Sequence, residues 1–343
     1  MGERAMRRIL RLALIAGVMI TGGAASAADR LTLQLMWVTQ AQFAGYYVAR
    51  DKGFYKELNL DVTINAGAPE ISTDQTLAAG KADIIVYWLA LAPVARDKGT
   101  PLVNIGQVFQ GSSYLLTCLK SGGVKTIADL PGHSVGVWFF GREFIFLDWM
   151  AKLNIPTDGG PRGVTMVLQN STVDMLANRQ AACVSALSYN EYWQLIEAGF
   201  TPDDLIVFKS ADADAATLED GLYVSGERLN DPAFAGKVAR FLAASLRGWS
   251  WAIEHPAEAV NIVLQNDTTR TQTAEHQARM MREVGKLITD SKNPLGYLSP
   301  PDYEHTVSLI LSPTPRAVIN KRPNDAWTHS IYEASKKYWR PAQ

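Results

Sequence analysis

Apolar positions alternate, then bunch, then alternate again between Leu33 and Ile64, and each change of period marks a change of element. Leu33, Leu35 and Trp37 share one face of a strand. A polar loop follows at Thr39, Gln40 and Gln42. Phe43, Tyr46, Tyr47 and Val48 recur at helical spacing, and Gly53 stops that helix. Leu60, Val62 and Ile64 alternate as the next strand. The unit is βαβ-like, and its polar loop lies at the C-terminal end of the first strand, where open α/β sheets hold ligands. Trp37, Gln40, Gln42 and Phe43 are therefore the first candidates for a binding wall.

The rhythm continues. Thr73 to Gly80 reads as a helix, Ala82 to Tyr87 as a buried strand, Trp88 to Lys98 as a helix and Leu102 to Phe109 as a strand. Tyr114 to Lys120 reads as a strand leading out of a first lobe. A second lobe repeats the grammar: strand Ser134 to Trp138, helix Phe144 to Leu153, strand Val164 to Leu168, helix Val173 to Asn178, strand Ala182 to Leu187, and a helix opened by Tyr189-Asn190-Glu191-Tyr192. Leu205 to Phe208 closes that set, and Asp220 to Ser225 returns to the first lobe. From Asp231 the pattern is helical, broken by Pro300-Pro301, Pro313 and Pro315, with a terminal helix over Trp327 to Tyr338. The expectation is an α/β protein of two lobes, each an open sheet flanked by helices, with a helical C-terminal section. The lobes are placed at 28–117 plus 221–343 and at 118–220, after a leader at 1–27.

That leader has a basic start (Arg4, Arg7, Arg8, Arg11), a short apolar core from Leu12 to Ile20, and small residues at Ala25-Ser26-Ala27. The apolar run is shorter than the ~20 residues of a membrane span, so it reads as an export signal cleaved near Ala27-Ala28. Four Arg and one Glu leave with it, which takes the formal charge from -1 to -4. Mild acidity argues against nucleic-acid binding. Hydrophobic residues make up 47% of the chain, enough for two packed cores. Cys118 and Cys183 lie in apolar strand-like runs and are expected as two buried thiols rather than a bridge.

Enzyme chemistry is sparse. The five histidines lie far apart, without paired metal-ligand spacing. There is no G-x-S-x-G elbow, and Gly159 to Gly163 lacks the end of a P-loop. No metal and no cofactor are expected. Aromatic and amide residues cluster instead beside predicted loops at helix starts: Trp37, Trp88, Phe140, Tyr189, with Gly141 and Arg142 next to Phe140 and Asn190 beside Tyr189. Flat rings stack on such faces. A carboxylate such as Glu191 or Glu219 accepts charge-assisted bonds from an exocyclic amine. Glu191 has a second explanation, since a helix first turn favours a carboxylate. Glu219-Asp220 reads more readily as a turn or hinge pair than as a catalytic dyad.

The run W-V-T-Q-A-Q-F-A-G-Y-Y-V-A-R-D-K-G-F-Y at 37–55 resembles the opening of periplasmic substrate-binding proteins of ABC importers, in the branch of thiamine-pyrimidine synthase and the formylaminopyrimidine-binding protein. The stretches A-D-I-I-V-Y-W (82–88), G-V-W-F-F-G-R-E-F (136–144), S-Y-N-E-Y (188–192) and L-E-D-G-L-Y-V (218–224) resemble the same family. The resemblance implies a two-lobed periplasmic binding protein of type II, a monomer that closes on a small heteroaromatic and presents it to an ABC permease and its ATPase in the inner membrane. It also implies that Trp37, Tyr189 and Glu191 hold a thiamine-precursor pyrimidine. Departures from the family matter here. Phe43 stands where fungal synthases have a reacting His, and 215–219 lacks their cysteine-rich run, so pyrimidine synthesis is not expected. Gln40-Ala41-Gln42-Phe43 replaces the N-x-N-H loop of the formylaminopyrimidine binders, which leaves riboflavin- or alkylsulfonate-type ligands open.

Overall fold

The computed structural model describes residues 27–139, 143–311 and 318–339. The export signal expected at 1–27 and the candidates Phe140, Gly141 and Arg142 lie outside the described residues, apart from Ala27 at the signal's end.

Ten strands form two five-stranded sheets among these residues. The strands are β1 (Asp29–Gln34), β2 (Leu60–Asn65), β3 (Ile84–Trp88), β4 (Leu102–Gln107), β5 (Tyr114–Leu119), β6 (Ser134–Val137), β7 (Thr165–Leu168), β8 (Cys183–Leu187), β9 (Leu205–Lys209) and β10 (Asp220–Ser225). The first sheet has the order β2-β1-β3-β10-β4 and the second β7-β6-β8-β5-β9. The pattern is the same in both. β1 runs parallel to β2 and β3, and β6 runs parallel to β7 and β8. One strand in each is antiparallel to both neighbours, β10 in the first and β5 in the second. Each of these odd strands arrives from the other half of the chain. Two crossovers, 108–113 and 215–219, therefore join the lobes. The expected break between 117 and 118 would cut β5, which pairs along its whole length within the second sheet.

Helices cover the sheets. In the first lobe these are α1 (Ala44–Asp51), α2 (Phe54–Glu57), α3 (Thr73–Ala78) and α4 (Leu91–Asp97); in the second they are α5 (Phe144–Lys152), α6 (Thr172–Ala177) and α7 (Glu191–Glu197). The C-terminal section contributes α8 (Pro232–Glu254), α9 (Pro256–Asn266), α10 (Ala274–Thr289), α11 (Pro300–Leu311) and α12 (Ser330–Ser335). α8 begins with Asp231 accepting from the Ala233 N–H and Pro232 in the first turn, where a missing N–H costs nothing. It packs on α1 so closely that a Cβ at Gly248 would meet the Gly45 carbonyl at 2.1 Å. Trp249 of α8 then meets Tyr46 edge-on at 5.7 Å and Phe109 at 6.1 Å, with all three rings buried.

Two expectations fail here. Cys118 and Cys183 are joined, not free thiols. They stand directly opposite each other across the antiparallel β5/β8 pair, with Cα atoms 3.9 Å apart. The tail also contains a helix that prolines seemed to forbid: Pro300 and Pro301 open α11 rather than interrupt it.

Candidate functional site

The C-terminal ends of β1 and β3 face those of β6, β7 and β8 across a cleft of about 460 Å³. The first lobe supplies Trp37, Gln40, Gln42 and Trp88, and the second supplies Trp138, Gln169 to Thr172 and Tyr189 to Glu191. A contiguous compartment of about 410 Å³ shares Trp37, Trp138 and Gln169 and extends toward Ile71 and Phe139.

Trp37 sits where β1 has ended and the chain bends. Its carbonyl accepts from the Gly67 N–H at 2.8 Å, and a Cβ at residue 67 would lie 2.5 Å from the Trp37 nitrogen. Only glycine allows that approach, and it holds the indole half-buried at the cleft edge. Gln40 and Gln42 are both buried at the floor. Gln40 Nε2 donates to Gln42 Oε1 at 2.6 Å, and Gln42 Nε2 donates to Asp220 Oδ2 at 2.9 Å. The Trp88 indole lines the cleft beside them. Burial pushes the Asp220 carboxyl up to about 7 against the downward pull of the Gln42 amide.

The opposite wall is equally built. Tyr189 is fully buried with its ring edge-on to Phe109 at 6.0 Å, so the crossover residue Phe109 links it to Trp249 in the first lobe. Glu191 Oε2 accepts from the Leu187 N–H and Oε1 from Asn190 Nδ2, both at 2.9 Å. Asn190 Oδ1 lies 2.9 Å from His276 Nε2, and His276 Nδ1 lies 3.1 Å from Glu197. Arg279 donates to the same Glu197 at 2.9 Å. α7 of the second lobe is thereby tied to α10 of the C-terminal section directly behind the cleft.

Two candidates do not reach the cleft. Phe43 caps α1 with no exposed surface, because it begins the apolar face of that helix and packs in the core. Glu219 is buried at the crossovers, where it accepts from the Ser113 N–H at 2.7 Å and the Ser113 hydroxyl at 2.6 Å. Burial pushes its carboxyl up to about 8, the Ser113 bonds oppose that, and the charges of Asp220 and Glu191 reinforce it. The sequence does not mark three features as cleft residues: Trp138 after β6, the Gln169–Thr172 turn after β7, and Asp220, read there only as half of a hinge pair. The strand-end rule that picked out Trp37 also covers the first two. Among the described residues, no group of three or more His, Cys, Asp or Glu is arranged to hold a metal ion, and no helix is long and apolar enough to cross a membrane.

Paired α/β lobes, exchanged strands and a cleft between facing sheet edges define the periplasmic-binding-protein fold. The chain belongs to the NMT1/THI5-like family, which matches residues 40–259. It is 24% identical over 293 residues to the formylaminopyrimidine-binding protein of Halalkalibacterium halodurans, covering 83% of this chain and 84% of that one. It is 30% identical over 146 residues to a Haemophilus influenzae protein named for thiamine biosynthesis, a match that spans 42% of this chain and 46% of that one. Among solved structures it is similar to the periplasmic aliphatic sulphonate binding protein SsuA of Escherichia coli, with a TM-score of 0.61 at 13% identity, covering 92% of this chain and 93% of that one.

Proposed function

We propose that this protein is the exported solute-binding component of an ABC importer, and that its cleft takes a flat heteroaromatic of the thiamine-precursor pyrimidine class. One observation carries the ligand reading. The cleft gathers four aromatic side chains, Trp37, Trp88, Trp138 and Tyr189, around side-chain amides and one carboxylate, Glu191. Rings bind ring faces, and the amides and carboxylate take the polar ring edge. The pyrimidine binder from Halalkalibacterium, related over most of its length, supports the same reading.

Trp37 is assigned to a ring face and Glu191 to the polar edge; Tyr189, expected from the sequence to hold the other face, has no exposed surface and backs the wall against Phe109. Glu191 is held at the cleft wall by the Leu187 N–H and the Asn190 amide, which fix where its carboxylate lies. The protein acts by binding and release rather than by catalysis. Phe43 supports that assignment: it fills the core where the synthases place their reacting histidine. Export to the periplasm fits the buried Cys118–Cys183 bridge, since disulfides persist in oxidising compartments. The partners are a permease and an ATPase, met by a monomer. A second reading, a larger ring of the flavin type, is favoured by the contiguous compartment beyond Trp37.

A thermal-shift panel of aminopyrimidines, thiamine, riboflavin and alkylsulfonates tests the assignment. A ligand at 100 times its dissociation constant adds about 2.7 kcal/mol of stability. Aminopyrimidines should raise the melting temperature most. A shift with alkylsulfonates alone would overturn the heteroaromatic reading.

A further inference from the structure

Beneath the cleft floor runs a chain of three side chains that ends on an acceptor. Asp220 is buried at the start of β10, and β10 runs antiparallel to β3, so Asp220 pairs with Trp88 at the same sheet edge as the cleft. The Gln42 amide reaches Asp220 Oδ2 with its Nε2 as the donor, at 2.9 Å. An ionised carboxylate only accepts. The nitrogen and oxygen of a side-chain amide are told apart by their partners. With Asp220 as acceptor, Gln42 must turn its Nε2 inward, which leaves its Oε1 facing Gln40. Gln40 then gives its Nε2 to Gln42 at 2.6 Å. Its own Oε1 receives no hydrogen bond from the described residues and is not among their buried unpaired atoms, so it opens on the cleft that Gln40 lines.

We propose that Asp220 is a specificity-positioning residue: through Gln42 it fixes Gln40 with the carbonyl oxygen toward the ligand, so the first-lobe wall selects ligands that donate a hydrogen bond at that edge. The inference rests on the heteroaromatic reading of the cleft and adds the polarity of the edge. An exocyclic amine satisfies Gln40 Oε1, whereas a ring carrying only acceptors there leaves two oxygens opposed. Glu219 precedes Asp220 in the chain, and the hydroxyls of Tyr46 and Tyr223 feel its charge. Measurement at pH 8 keeps Asp220 mostly ionised, since burial raises its carboxyl to about 7.

Calorimetric titration at pH 8 compares 4-amino-5-hydroxymethyl-2-methylpyrimidine with its 4-methoxy analogue, which lacks the donor. The wild-type protein should prefer the amine by about tenfold, the worth of one hydrogen bond. In Asp220→Asn the side chain can offer Gln42 either an oxygen or an N–H, so Gln42 no longer has a fixed sense, and the preference should fall to about twofold or less. An unchanged preference in a folded Asp220→Asn protein would overturn the proposal. Neutron diffraction on the ligand-free wild-type protein supplies a readout that needs neither variant nor ligand. Deuterons should lie on Gln42 toward Asp220 and on Gln40 toward Gln42, and a Gln40 deuteroamide pointing into the cleft would contradict the account. If neither pyrimidine binds while the deuterons lie as stated, the relay stands and the ligand class is what fails.

Discussion

Glu219 and Asp220 are neighbours in sequence with separate tasks. Glu219 turns to the crossover and grips Ser113, while Asp220 turns to the cleft floor and grips Gln42. Burial keeps both carboxyls neutral to higher pH than in the unfolded chain, Glu219 to about 8 and Asp220 to about 7. A raised acid stabilises the fold fully below its unfolded value, and that stability is lost as pH climbs through the folded value. The protein should therefore lose stability between about pH 4.5 and 8. Glu219→Gln can keep both Ser113 bonds, with the hydroxyl rotated to accept. Urea melts across that range should show a flatter profile for the variant, with only the Asp220 portion remaining. Trp37→Ala should leave the fold in place and cost about 0.5–1.5 kcal/mol of heteroaromatic affinity through the lost ring face, read by titration. Trp37, Gln40, Gln42, Asn190 and Glu191 are legible as cleft residues because each lies between the end of a strand and the first turn of the helix that follows. Asp220 is not, because that rule assumes parallel strands: β10 runs the other way, and its first residue arrives at the edge where the others end. Phe43 was misplaced because an aromatic at a loop–helix junction has the same signature whether it faces cleft or core.

Most elements are plain in the apolar pattern, but β1 runs from Asp29 to Gln34 and ends before the Leu35 and Trp37 expected on its face. Partnership between strands is not plain there. Cys118 and Cys183 read as thiols because nothing local to either run reveals that β5 and β8 are antiparallel neighbours in that register. The bridge closes a 65-residue separation, so its removal by Cys118→Ala with Cys183→Ala should cost about 2–4 kcal/mol in denaturant melts. α7 and α10 also meet without any sequence sign. Their bridge is His276, held between Asn190 and Glu197, with Arg279 beside it. His276→Ala should weaken the tie between α7 and α10 and so between the lobes. The radius of gyration of the ligand-free protein should rise by scattering, while the Glu191 bond to Leu187 within the second lobe keeps the cleft wall formed.

At the scale of the molecule, two sheets of the same design exchange one strand each, and the crossovers lie side by side. Gln107 Nε2 donates to the Glu219 carbonyl at 3.0 Å, and the Phe109 N–H donates to the Asp220 carbonyl at 3.0 Å, so the joint is stitched by hydrogen bonds. Rotation of one lobe against the other on ligand binding is expected at this joint, and scattering with and without ligand checks it through a fall in the radius of gyration. The aromatic line from Tyr189 through Phe109 to Trp249 crosses the joint and couples the cleft wall to the first-lobe core. The central claim is that this cleft holds one flat heteroaromatic ring between the lobes, and titration calorimetry with 4-amino-5-hydroxymethyl-2-methylpyrimidine, wild type beside Trp37→Ala, tests it most directly. One ligand should bind per chain, and more weakly in the variant. Absence of heat in the wild type, or equal affinity in the two proteins, would contradict that claim.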